Sequence, residues 1–440
     1  MKKVVTKFGG SSLADANQIK KAKDIILSNP DRSYVVVSAS GKRHKDDDKI
    51  TDLLLSHFDS KDNETSKKAI EDKLFTRYKE IIKELKIDFD VEKELKNIFE
   101  NAKNKKTPDY IASRGEYLSA KILSLYMGGA FLDMQGVIIF NDDKKLNYEL
   151  TYANVSKKIN EMNSDHIIIP GFYGSDINGD IITFSRGGSD ITGSIVARAI
   201  NADIYENWTD VSGVMFVDPR IAENAKPIEY ITYTELRELS YMGATVLHEA
   251  TIYPVSKVGI PIHILNTNNP TDKGTMIVAN IPSIVKRGVV TGVAGRKGFT
   301  AILLQKALMN EEVGYLARLL DIFKKENISV EHCPTGIDTI SIVIKSELLN
   351  DKKDKILDAI NKELNPDVLN VEDKISLIAV VGEGMIYHKD VITKIFKTLS
   401  DVDVAVKMID QGSSGINVII GVSDDDYDKS MKALSTLQNI

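Results

Sequence analysis

Two glycine pairs stand beside cationic side chains in this sequence. Lys7-Phe8-Gly9-Gly10-Ser11-Ser12 lies between the β-branched run Val4-Val5-Thr6 and a helical pattern over 15–27. Ser185-Arg186-Gly187-Gly188-Ser189-Asp190 repeats the arrangement between an apolar run at 181–184 and a helical pattern over 190–201. Glycine lets a backbone approach a polyanion closely, and the free N–H groups at a helix start favour negative charge. Lys7 precedes its glycines, whereas the Walker lysine follows its own. Arg186 can grip a carboxylate or phosphate with two parallel donors. Asp190 is equally suited to cap the helix that follows it. Taken alone, each loop also reads as a tight strand-to-helix turn.

Two further clusters carry polar chemistry. Ser113-Arg114-Gly115-Glu116 sits near the start of a helix running to about Met127, where a carboxylate in the first turn is favoured by the dipole and would suit an ammonium group. Trp208-Thr209-Asp210-Val211-Ser212-Gly213-Val214, followed by Asp218-Pro219-Arg220, could hold ribose, base or phosphates. The seven histidines have no metal-type spacing, and His248-Glu249 does not continue to a second histidine one helical turn on. A nucleophile elbow and a dinucleotide fingerprint are also missing. Two anion loops with lysine, arginine and carboxylates suit phosphoryl transfer, where catalysis is mostly positioning and charge neutralisation.

These loops need a sheet to hold them. Tyr34-Val35-Val36-Val37, the run at 166–172 and the run at 260–265 are further buried-type strands, and they alternate with helical patterns. That alternation indicates an α/β domain with a largely parallel sheet. Segment 59–106 is rich in Lys and Glu, with Leu74, Tyr78, Ile81, Ile82 and Leu85 at helical spacing, and reads as helices with solvated faces. Turn formers at 266–274 read as a linker. Beyond about 285 an internal repeat appears: Met309 and Met385 stand 76 residues apart, and the same offset takes Leu319 to Ile395, Ile340 to Ile416 and Ile342 to Val418. Each copy reads βαββα, with room for a further strand.

Composition excludes several classes. The 440 residues hold 57 Lys+Arg against 63 Asp+Glu, a net charge of −6, which argues against a general nucleic-acid binder. One cysteine, Cys333, rules out an intrachain disulfide framework and a Cys-rich zinc site. No stretch approaches the roughly 18 apolar residues of a membrane span, and no signal-peptide core is present, so the cytoplasm is the expected compartment.

The motifs together resemble aspartate kinases of the amino acid kinase family. Lys7–Ser12 is similar to the family's opening signature. Ser113–Glu116, Arg186–Asp190 and Trp208–Val211 match its later blocks in order; Val246-Leu247-His248 and the segment 266–275 fit the end of its catalytic domain, and Gln411-Gly412-Ser413-Ser414 fits the second of two C-terminal ACT modules. The resemblance implies a three-layer α/β sandwich over 1–283 and two ferredoxin-like α+β ACT modules over 284–368 and 369–440. It implies transfer of phosphate from ATP, with Mg²⁺, to the β-carboxylate of L-aspartate. Lys7 would bridge the phosphates, with Phe8, Gly9, Gly10 and Ser11 lining the cradle and the Gly9 and Gly10 N–H groups donating. Asp190 would order Lys7 or the metal–phosphate cluster. Glu116 would bind the α-ammonium and Arg186 a carboxylate of aspartate, with Ser38, Thr51 and Ser189 adding contacts. Thr209, Asp210, Met215, Arg220, Thr245 and Val246 would hold the nucleotide. Thr245, Met215 and Ser212 stand where many relatives carry lysine, tyrosine and aspartate. An effector amino acid, lysine, would sit among Met309, Gly314, Tyr315, Leu316, Ala317, Glu331, Thr335 and Asp338. The ACT modules would pair two chains into a homodimer, with a tetramer left open. Two rival readings remain: a kinase for another small carboxylate, and an inactive amino-acid sensor that uses only the ACT pair.

Overall fold

A computed structural model describes residues 2–60, 63–185, 187–244, 247 and 249–440. The chain divides into two compact units. The first is Met1–Val214 with Pro227–Tyr233 and Thr245–Val285; the second is Met215–Lys226 with Thr234–Ala244 and Lys286–Ile440.

The first unit is built on strands β1 (Val4–Phe8), β2 (Tyr34–Val37), β3 (Ala130–Phe131), β4 (Ile167–Pro170), β7 (Ile204–Thr209), β8 (Tyr230–Thr232), β9 (Ile262–Asn266) and β10 (Thr275–Val278), with a small hairpin β5 (Tyr173–Ser175) and β6 (Ile181–Thr183). The sheet order is β3-β4-β2-β1-β7-β9-β10-β8. Every pairing in it is parallel except β9 with β10. All five residues of β1 are buried, as a central strand covered on both faces requires. Helices α1 (Ala16–Leu27), α2 (Ile50–Asp59), α3 (Glu64–Leu85), α4 (Val91–Lys103) and α5 (Asp109–Met127) share one apolar core with Phe8, Val35, Val37 and Ile168. Helices α6 (Tyr148–Glu161), α7 (Gly188–Ala199) and α9 (Glu249–Ser256) pack together, and α7 meets β1, β2 and β7. The expected sandwich with a mainly parallel sheet is present. The 266–274 segment is no linker. It is the turn between antiparallel β9 and β10, and Thr267 N–H donates to the Thr209 carbonyl at 2.8 Å.

The second unit carries helix α8 (Tyr233–Tyr241) with one five-stranded antiparallel sheet, β12-β11-β13-β15-β14. Its strands are β11 (Gly292–Gln305), β12 (Thr339–Lys345), β13 (Val368–Val381), β14 (Met408–Asp410) and β15 (Asn417–Ser423). Helices α10 (Tyr315–Lys325), α11 (Ser346–Leu349) and α12 (Lys353–Leu364) belong to the first repeat, α13 (Val391–Ser400) and α14 (Tyr427–Leu434) to the second. The 76-residue offset superimposes α10 on α13 and β12 on β15, as the repeat pattern requires. The sheet is not cut at 368, however. Strands β11 and β13 pair along their whole lengths, with register shifts near Arg296 and Phe299, and each contributes one half to either copy. Periodicity locates repeated elements; it does not reveal that two copies share continuous strands. In the first copy the segment facing β12 makes only isolated bridges, His332 with Val343 and Thr335 with Ile340.

Candidate active site

The C-terminal ends of β1, β2, β4 and β7 gather most of the candidate residues, where open α/β sheets bind their ligands. Lys7 and Asn207 are register partners in the β1–β7 pair and so share a face of the sheet. Lys7 is buried, and its Nζ lies 2.5 Å from Asp190 Oδ1 in the first turn of α7. Asn207 Nδ2 donates to the same oxygen at 2.9 Å. A cation on one glycine loop is therefore held by a carboxylate just beyond the other. Asn207 was not singled out from the sequence, although a polar residue inside a buried strand was the available signal.

The first loop differs in detail from its expected cradle. Gly9 N–H is not free for a phosphate, because it donates to the Trp208 carbonyl at 2.9 Å. Phe8 is wholly buried, stacks on Trp208 and accepts from Ser38 N–H at 3.1 Å, so it supports the loop and leaves no side-chain surface to a ligand. The Gly10 and Ser11 amides have no hydrogen-bond partner among the described residues. They open a single 3₁₀ turn, Ser11–Leu13, with Gly10 at its N-cap. Gly10 abuts Gly41: a Cβ on Gly41 would fall 2.5 Å from the Gly10 carbonyl carbon, and Gly41 N–H donates to Gly10 O at 2.7 Å. Behind the loop, the hydroxyls of Ser12 and Thr267 share a buried hydrogen bond of 2.7 Å, another pairing the sequence did not announce.

Glu116 lies two turns inside α5, not in its first turn, so the helix dipole does not set its state. Burial does: it pushes the carboxyl up to about 8, against the Ala39 amide, its own amide, Arg114 and Lys7, which favour the charged form. Its Oε2 is buried without a hydrogen-bond partner. The close seat of α5 on the end of β2 explains the glycine beside it, since a Cβ at Gly115 would meet Ala39 Cβ at 2.7 Å. Thr51 sits half-buried in the first turn of α2, and Ile50 N–H reaches the Ser40 carbonyl at 3.5 Å. Ser38 is half-buried, and Ser189 is buried at the start of α7, packed against Gly171. Ser38, Thr51, Glu116 and Ser189 thus stand on adjoining segments.

Other candidates lie elsewhere. Arg186, Thr245 and Val246 fall outside the described residues. Thr209 ends β7 and the exposed Asp210 follows it, with Thr209 Oγ1 3.2 Å from Asp210 Oδ1. Met215 and Arg220 belong to the second unit, and Arg220 is exposed and paired with Asp218 at 2.6 Å. Among the effector candidates, Met309 and Tyr315 are buried in the core of the first repeat, whereas Leu316 and Ala317 face outward. Gly314 takes a left-handed conformation before α10. Thr335 is exposed; Glu331 pairs with Lys345 at 3.3 Å and accepts from the Tyr241 hydroxyl. Two polar atoms here, Tyr315 OH and Asp338 Oδ1, are buried without a partner.

A buried lysine held by a carboxylate, beside two loop amides with no partner among the described residues and at the strand ends of a mainly parallel sheet, suits the binding of an anion such as a phosphate. The pattern of the amino acid kinase family matches residues 2–266 and that of the ACT domain residues 378–437. Aspartokinase 3 of Bacillus subtilis (strain 168) is 35% identical, covering 98% of this chain and 97% of that one. The crystal structure of Clostridium acetobutylicum aspartate kinase is 48% identical, with TM-score 0.92, covering 99% and 100% of the two chains. Escherichia coli aspartokinase III is 25% identical in two states: with aspartate and ADP (TM-score 0.76, covering 100% of both chains), and with lysine and aspartate (TM-score 0.74, covering 99% of both). The chain belongs to the amino acid kinase family, among its aspartokinases.

Proposed function

We propose that the chain transfers the γ-phosphoryl group of ATP to the β-carboxylate of L-aspartate, giving 4-phospho-L-aspartate and ADP. The observation that carries this reading is Glu116, a buried carboxylate with an unpartnered oxygen close enough to Lys7 to feel its charge. An ammonium arriving there recovers the solvation that burial removed. The complex of E. coli aspartokinase III with aspartate and ADP supports the same substrates. The free Gly10 and Ser11 amides and the start of α7 fit a polyphosphate. Lys7, fixed by Asp190, which Asn207 holds in turn, stabilises charge on the moving phosphoryl group. The attacking carboxylate is already ionised at neutral pH, so no strong general base is needed. Arg186 is assigned to a substrate carboxylate, Thr51, Ser38 and Ser189 to its hydrogen bonds, and Thr209 and Asp210 to the nucleotide. Mg²⁺, bound with the nucleotide, would neutralise phosphate charge and keep several of its waters; Asp190 would be a candidate to hold it.

The second unit senses an amino-acid end product in this reading, with lysine the ligand, as the lysine-bound state of the E. coli enzyme supports. Tyr315 OH and Asp338 Oδ1 are two unpartnered groups such a ligand would satisfy. Val313, 97% exposed, and Leu316 and Leu320 on α10 favour a homodimer through the ACT modules. The test is ATP-dependent hydroxamate formation with aspartate, glutamate and acetylglutamate, with and without lysine. Product from aspartate alone, reduced by lysine, is expected. Product from another acid overturns the substrate, none at all leaves the sensor reading, and indifference to lysine overturns the effector.

A further inference from the structure

The charged helical segment 59–106 reads as surface in the sequence, yet it carries a buried cation. Arg77 projects from the face of α3 that also holds Leu74, Tyr78, Ile81 and Leu85, and its residue is only 3% exposed. Its guanidinium grips three backbone carbonyls. Nη1 donates to Asp48 O at 2.7 Å; Nη2 donates to Ala14 O at 3.2 Å and to Gly41 O. Nη1 also lies 3.2 Å from Asp47 Oδ2, and Asp47 is shared with Arg43 at 2.9 Å. Nε is buried without a partner.

These carbonyls are not scattered. Ala14 closes the turn that follows Gly9 and Gly10. Gly41 and Asp48 are the two ends of an exposed, charged loop, and Gly41 N–H is bonded to Gly10 O. Ser38 lies just before this loop, and Thr51 just after it. A planar fork of five donors can hold three carbonyls in one plane; an ammonium on a flexible stem cannot reproduce that geometry. Apolar packing of α3 needs no guanidinium at this position, since the neighbouring buried residues already anchor the helix.

We propose that Arg77 is a positioning residue for the candidate active site, fixing the 41–48 loop against the phosphate-binding turn from behind. This rests on the kinase reading above. It acts through Gly10, Gly41 and Ala14 and touches no substrate.

The test compares wild type with Arg77→Lys, Arg77→Met and Arg43→Ala. Two quantities are read: kcat at saturating ATP and aspartate, and the rate of tryptic cleavage after Lys42, Lys45 and Lys49. Arg77→Lys is expected to keep its melting temperature close to wild type while kcat falls about tenfold or more and loop cleavage accelerates by a similar factor. Arg77→Met should show both effects more strongly; if it does not fold, Arg77→Lys decides alone. Arg43→Ala, which leaves the carbonyl grip intact, should stay within about twofold of wild-type kcat. Wild-type cleavage and kcat in Arg77→Lys would overturn the proposal, as would a variant that only melts earlier. If wild type itself makes no acyl phosphate from aspartate, the kinase reading fails, and cleavage still decides whether Arg77 holds the loop.

Discussion

Each unit buries a glutamate on a helix, and the two are treated in opposite ways. Glu235, on α8, is wholly buried and saturated: Thr291 Oγ1 donates at 2.6 Å and Glu383 N–H at 2.9 Å to one oxygen, and Arg287 at 2.7 Å to the other. Glu116, on α5, keeps one oxygen buried with no partner. A buried carboxylate bonded at both oxygens is joinery, its partners supplied by its own chain. An unsaturated one is held ready for a group that comes from outside, because leaving it so costs free energy in the empty protein. On the proposed reading the same residue type does opposite work in the two units, and burial alone does not separate them; their hydrogen-bond partners do.

The comparison can be broken most forcefully at Lys7, whose charge the Glu116 site is expected to work beside. Lys7→Ala should lower kcat by about 10²–10³-fold, the scale for losing one pre-organised electrostatic group. Steady-state hydroxamate assays check this, and near-wild-type turnover would remove the phosphate cradle. Next, Glu116→Gln should reduce kcat/KM for aspartate by about 10²-fold, the scale for deleting one partner of a buried charge pair, with KM carrying most of the loss. Glu235→Gln should do the reverse. It removes charge-assisted hydrogen bonds worth roughly 1.5–3 kcal/mol each, so denaturant unfolding should show lower stability with aspartate KM little changed.

A separate effect sharpens the contrast through pH. The Glu116 carboxyl gives up its proton near its ordinary 4.5 in the unfolded chain and near about 8 in the native one. Between these values the native state binds the extra proton, so this group's contribution to stability declines as pH rises through that window. Thermal melts from about pH 5 to about pH 8 should show a shallower decline in Glu116→Gln than in wild type.

Much of this was legible in the sequence because strand-and-loop chemistry is local. Val4-Val5-Thr6 before Lys7, and the helical pattern opening at Asp15, marked β1 and α1 closely; Asp15 does cap α1, accepting from Gln18 N–H at 2.9 Å. Lys7, Asp190 and Glu116 were visible as residue types suited to phosphate and ammonium. What stayed hidden depends on distant partners. Asn207 matters only because register places it beside Lys7, and Gly9 loses its free amide to Trp208, some 200 residues on. Arg77 reads as one more charge in a charged segment until the loop carbonyls it grips are known. Met215 and Arg220, candidates for the nucleotide, looked continuous with the kinase blocks, yet they fall in the second unit. Likewise Met309 and Tyr315 suggested a ligand seam by their types, and only the fold shows that both also pack in the core of the first repeat.

The most direct test is aspartate KM followed from about pH 6 to about pH 9 at saturating ATP, in wild type and in Glu116→Gln. If a buried carboxylate must ionise to receive the ammonium, wild-type KM falls by up to about tenfold per unit of rising pH, levels near 8, and loses that slope in the variant. A flat wild-type profile, or an equal slope in both proteins, would contradict the assignment of Glu116 as the substrate's anchor.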